Sequence, residues 1–76
     1  MNLDEAIDLL DDISDFNFKA SEKPNISVYD NQKDGFVLCV KANLVDEEFR
    51  DHIAGIAESR KLEIRELEGY LIIHDR

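Results

Sequence analysis

The chain has 76 residues, 43% of them hydrophobic, with 18 Asp and Glu against 9 Lys and Arg for a net charge of −9. That is the length of a single domain, 1–76, with one small core, and the hydrophobic share argues against disorder. The acid excess excludes nucleic acid and anionic membrane as direct ligands, since both demand clustered Lys and Arg.

Residues 3–16 read as a helix. Leu3, Ile7, Leu10 and Ile13 recur at helical spacing, with Ala6, Leu9 and Phe16 beside them. Asn2 is placed to cap its start, and Asp4 and Glu5 suit the positive pole of the helix dipole. The opposite side carries Asp4, Asp8, Asp11, Asp12 and Asp15, which fall within an arc of roughly 100° at 3.6 residues per turn. Like charges three and four residues apart repel. The helix itself holds nothing that offsets them, because residues 1–18 contain no Lys or Arg.

Lys19–Asn25 is polar, holds the only proline, and reads as a loop. Ile26-Ser27-Val28-Tyr29 alternates as a half-buried strand does, and Asp30–Gly35 is a polar turn leading into a second strand, so the two form an antiparallel hairpin. Phe36-Val37-Leu38-Cys39-Val40 is the strand around which the rest is organised, too short for a helix and rich in β-branched and aromatic residues. After Lys41–Val45 the chain leaves the sheet. A second helix, Asp46–Arg60, carries Phe49, Ile53, Ile56 and Ala57 on one stripe, with Asn43 or Asp46 as its cap. Arg60 and Lys61 suit the negative pole at its end.

Leu62–Glu66 alternates again, Glu68-Gly69 supplies a turn, and Tyr70–His74 is the last strand. The order is αββαββ. The fold expected is α+β, a two-layer arrangement of a four-stranded antiparallel sheet with two helices packed on one face. Strand order across the sheet stays open, because either hairpin can supply the central pair.

Two surfaces are candidate sites. The first is the aspartate face, Asp4, Asp8, Asp11, Asp12 and Asp15. A charged row of this kind is most often a solvated face, and otherwise a dock for a basic protein. The second is the outer face of the sheet. With Phe36, Leu38 and Val40 facing the helices, alternation sends Val37, Cys39 and Lys41 the other way. Leu71 and Ile73 inward likewise leave Tyr70, Ile72 and His74 outward. That face is apolar for a lone layer, which often marks an interface. The blander reading is that long side chains such as Lys41, Glu63 and Arg65 shield it. Val37→Lys is expected to break any assembly built there and to leave the fold intact.

Catalytic and metal motifs are not evident. Asp30–Lys41 departs from a calcium loop, with Gln32 in place of Asp or Asn and Lys41 where a bidentate glutamate belongs. Cys39, in the most apolar strand, reads as a small buried hydrophobe, and neither His52 nor His74 has a context that marks a Cys–His pair. One cysteine forms no internal disulfide, no apolar run spans a bilayer, and the acidic Met1–Glu5 start is unlike a signal peptide, so a cytoplasmic protein is expected. The sequence thus predicts a small acidic protein–protein interaction module, without enzyme activity, metal or cofactor. Its partner is another protein or a second copy of itself. The alternative is an acidic nucleic-acid mimic that binds and inhibits a basic protein.

Overall fold

A computed structural model describes residues 1–16, 25–33 and 35–75. The element order is α1 (Leu3–Ser14), β1 (Ile26–Asn31), β2 (Gly35–Lys41), α2 (Glu47–Ser59), β3 (Leu62–Leu67) and β4 (Tyr70–Asp75), with a short 3₁₀ turn at Ala42–Leu44. This is the expected α+β order with a four-stranded antiparallel sheet. Most of the Lys19–Asn25 loop lies outside the described residues, as does Asp34 in the first turn.

The strands lie in the order β1-β2-β4-β3. Both hairpins are antiparallel, and the central contact joins β2 to β4, with Cys39 opposite Ile72 and Leu38 opposite Ile73. The two most apolar strands thus take the inner positions, where neighbours cover them on both sides. The first strand runs two residues beyond the alternating run, because Asp30 and Asn31 pair with Phe36 and Gly35 instead of turning. Glu68 and Gly69 form the two-residue turn of the second hairpin, with φ of 52° and 81°. Positive φ at both positions matches the right-handed twist of the flanking strands.

One face of the sheet carries the core. Leu38 and Val40 of β2, Leu71 and Ile73 of β4, and Leu62 of β3 pack with Ala6, Leu9 and Ile13 of α1 and Phe49, Ile53 and Ala57 of α2. α1 contacts β1, β2 and α2, while α2 contacts β3. Over β3 the cover thins, so that Ile64, on the core-facing side, is 37% exposed.

Both helix starts follow the sequence. The Glu5 amide donates to Asn2 Oδ1 at 2.8 Å and the Asn2 amide to Glu5 Oε1 at 3.2 Å, a reciprocal capping box. Asp46, rather than Asn43, caps α2, accepting from the Phe49 amide at 2.8 Å. α2 ends at Ser59, and Lys61 then takes φ of 58°, the left-handed position usually given to glycine.

The α1 stripe is rotated from the expected one. Ala6, Leu9 and Ile13 are fully buried, whereas Leu3 and Ile7 are 47% and 46% exposed. Leu3 and Ile7 sit roughly 90° to 130° around the helix from the buried line, so both sets satisfy helical spacing and only the sheet beneath decides between them. α1 also stops before Phe16, whose ring lies 5.1 Å from that of Phe49.

At the edge of the core the Met1 carbonyl accepts the Phe36 amide at 2.8 Å. Continuing the β2–β4 register would give that place to Asp75. The first residue is wedged where the two central strands part.

Candidate functional site

The register defines the outer face of the sheet. The side chains that alternate away from the core form three rows across it: Tyr29 beside Val37, then Ser27, Cys39, Ile72 and Arg65, then Lys41, Tyr70 and Leu67. His74 pairs with Glu63 toward one end. The core residues of both helices pack on the opposite side, and among the described residues nothing packs over this face.

Five outer-face residues follow from alternation alone: Val37, Cys39, Tyr70, Ile72 and His74. The structure places all five on that side. Their exposure is graded. Tyr70 is 43% exposed, Cys39, Ile72 and His74 are half-buried, and Val37 is only 5% exposed. Val37 forms the floor of an open depression walled by Asn31, Arg65, Leu67, Ile72 and His74. Of the long side chains expected to shield the face, Arg65 does so at that end. The burial of Val37 also corrects one expectation, since a lysine at position 37 would bury its charge rather than decorate a surface.

Two further residues dominate the face. Tyr29 is 57% exposed and Leu67 is 52% exposed, more than any of the five. With Cys39, Glu68, Tyr70 and Ile72 they line a second open depression of roughly 260 Å³. That volume is below the range of about 300–1,000 Å³ typical of small-molecule pockets, and an open, shallow form suits a protein contact better. Both residues were within reach of sequence reasoning. Extending Ile26-in, Val28-in puts Tyr29 outward, and extending Glu63-out, Arg65-out puts Leu67 outward.

The face differs electrically from the rest of the chain. Lys41 and Arg65 on it are matched by Glu63 and by Glu68 at its rim, so it is close to neutral in a chain of net charge −9. The acids are concentrated on the helices, with Asp4, Glu5, Asp8, Asp11 and Asp12 on α1 and Glu47, Glu48, Asp51 and Glu58 on α2.

The aspartate face is all exposed, and it is not one continuous row of free carboxylates. Arg60, at the end of α2, reaches across to α1. Its Nη2 lies 3.1 Å from Asp8 Oδ2 and also bonds Asp12 Oδ2. The cation that α1 lacks thus comes from another element and sits between two acids that would otherwise repel at i, i+4. The Asp8 and Asp12 side chains remain 69% and 52% exposed, so this is worth at most about 1 kcal/mol after screening. Asp4, Asp11 and Asp15 form no ion pair among the described residues.

Burial pushes the Cys39 thiol up from its ordinary value, the opposite of what a nucleophile needs. His52 stacks near Phe16 and Phe49, with ring centroids 4.8 and 6.0 Å away, and its Nε2 lies 3.3 Å from the Asp12 carbonyl oxygen. It joins α2 to the end of α1. His74 Nδ1 is 2.7 Å from the Asp75 carbonyl oxygen and its Nε2 is 4.0 Å from Glu63 Oε2. Among the described residues neither histidine forms a hydrogen bond with Cys39. Among the described residues no three His, Cys, Asp or Glu side chains converge on a point that would hold a metal ion. No helix is long and apolar enough to cross a membrane.

No protein-family model, no curated protein and no solved structure matches the chain.

Proposed function

We propose that this chain is a small, cytoplasmic, non-enzymatic protein-interaction module, and that its contact surface is the outer face of the sheet. The observation that carries this reading is the uncovered, nearly neutral face on which Tyr29, Leu67 and Tyr70 are each more than two-fifths exposed. Large aromatic and aliphatic side chains clustered on one face supply most of the contact energy in protein interfaces, and tyrosine does so at low entropic cost. Folding gives no reason for them to stand there, since the core forms on the other side, against both helices. Burial raises the pKa of Cys39, the thiol on that face, which is the opposite of activation.

A second reading assigns the contact to α1, as an acidic mimic of nucleic acid that docks on a basic protein. It draws on Asp4, Asp11 and Asp15, which form no ion pair among the described residues. Arg60 weakens it by placing a cation inside the row.

The two readings separate in one capture experiment on immobilised protein with a native lysate. Three baits are compared: the wild type, the variant Tyr29→Glu with Leu67→Glu, and the variant in which Asp4, Asp11 and Asp15 become Asn. Binding lost only in the first variant, and resistant to salt, supports the sheet face. Binding lost only in the Asn variant, and released by moderate salt, supports the mimic, because exposed charge contacts are screened over about 8–10 Å at physiological ionic strength. Binding indifferent to both sets of substitutions refutes both.

A further inference from the structure

We infer that the occupant of the outer sheet face is a second copy of this chain, packed face to face about a two-fold axis near the Cys39–Ile72 pair. This rests on the reading of that face as a contact surface, and names its partner.

Charge is the first ground. A chain of net charge −9 repels its own copies over most of its surface. The outer face is where that repulsion is least, because Lys41 and Arg65 offset Glu63 and Glu68 there. A face-to-face arrangement also sends both acidic helix layers outward. With sheets about 10 Å apart and each helix layer about 10 Å behind its sheet, the two layers stand roughly 30 Å apart. That is more than three Debye lengths at about 0.15 M salt and only about one at 0.01 M. A heterologous contact, with the aspartate face of one copy on the sheet of the next, removes no like charge and leaves a chain of contacts that does not close.

Area is the second ground. Four strands about 4.8 Å apart and about six residues long make a face of roughly 20 Å by 20 Å. Two such faces remove roughly 800 Å² from water, short of the figure of about 1,000 Å² for a stable specific interface and in keeping with a weak, reversible one. Two aligned sheets pack by interdigitating alternate side chains, and the graded relief here suits that. Tyr29 and Leu67 stand out, while Val37 lies in a depression. The geometric centre falls between the two inner strands in the middle row, at Cys39 and Ile72.

The test is sedimentation equilibrium from micromolar to near-millimolar protein, at about 0.15 M and about 0.01 M salt. The expected result is a monomer–dimer equilibrium in the micromolar range that weakens several-fold at the lower salt, the reverse of a contact between opposite charges. The Tyr29→Glu, Leu67→Glu variant, with its folding checked by circular dichroism, should associate more than about tenfold less tightly, since it buries four unpaired charges per dimer. If that variant does not fold, the wild type still decides. Alkylation of Cys39, at the centre of the proposed contact, should slow as concentration passes through the dimer range. A wild type that stays monomeric throughout, or a Cys39 rate that is independent of concentration, overturns the second copy as occupant. The face as a docking surface would then stand or fall on the capture experiment. A dimer untouched by the face substitutions places the contact elsewhere and overturns the inference as well.

Discussion

Gly35→Ala should be the most damaging of the three available glycine-to-alanine substitutions, and the structure says why. Gly35 opens β2 at φ of 78°, a left-handed conformation that costs an alanine about 1–2 kcal/mol. A Cβ placed there would also meet the Met1 carbonyl oxygen at 2.5 Å. That oxygen is backbone and accepts the Phe36 amide at 2.8 Å, so relieving the clash sacrifices a hydrogen bond worth about 0.5–1.5 kcal/mol. Together the loss is about 1.5–3.5 kcal/mol. Gly69, at φ of 81° with nothing within 4 Å of its Cβ, should lose only the conformational part, about 1–2 kcal/mol. Gly55 lies inside α2 with open space around it and should gain about 0.5–1 kcal/mol. Urea unfolding followed by far-ultraviolet circular dichroism ranks all three, and each 1 kcal/mol moves the melting temperature by roughly 4–8 °C in a domain of this size. Equal losses at Gly35 and Gly69 would refute the energetic role of the Met1 contact. The hairpin that Gly35 closes also holds Tyr29 opposite Val37, so the outcome bears on the outer face too.

Ile53→Ala, in a fully buried α2 position, should destabilise by about 2–5 kcal/mol, measured in the same denaturation series. Asp46→Ala removes the acceptor for the Phe49 amide and should cost about 1 kcal/mol, most of it regained in Asp46→Ser. Arg60→Gln should cost no more than about 1 kcal/mol at physiological salt and less still at 1 M, where a loss that persists would show that Arg60 acts by packing and not by charge. Because burial holds the Cys39 thiol above its ordinary value, its alkylation near pH 8 should accelerate on unfolding and reach its folded-state plateau only at higher pH than a free thiol, and equal rates in both states would contradict that burial.

Element types and order were legible because their signals are local. The five residues Phe36–Val40 are continuous and apolar, Glu68-Gly69 is a two-residue turn, and Asn2 and Asp46 stand just ahead of amphipathic runs. The orientation of β2 was legible too, since alternation fixes faces once one residue is known to be inside. Other features depend on partners distant in sequence. Nothing local separates Leu3 and Ile7 from Leu9 and Ile13 on α1, because both sets recur at helical spacing and only the strands beneath choose. Val37 points outward and is still buried, because Asn31, Arg65 and His74 rise around it from three other strands or strand ends. The Arg60–Asp12 pair joins residues 48 apart, and the β2–β4 pairing joins two hairpins. The left-handed Lys61 carries no glycine to announce it. Of the candidate face, the central residues were readable; Tyr29 already lay at the end of its predicted strand, and Leu67 required extending β3 by one residue.

The outer face of the sheet as a contact surface is tested most directly by a dilution series of isotope-labelled protein followed by amide nuclear magnetic resonance. Concentration-dependent shifts should cluster on Tyr29, Cys39, Leu67, Tyr70 and Ile72 and leave the α1 aspartates still. Shifts confined to Asp4–Asp15, or spectra identical from micromolar to near-millimolar protein with no lysate partner that perturbs those five residues, would contradict it.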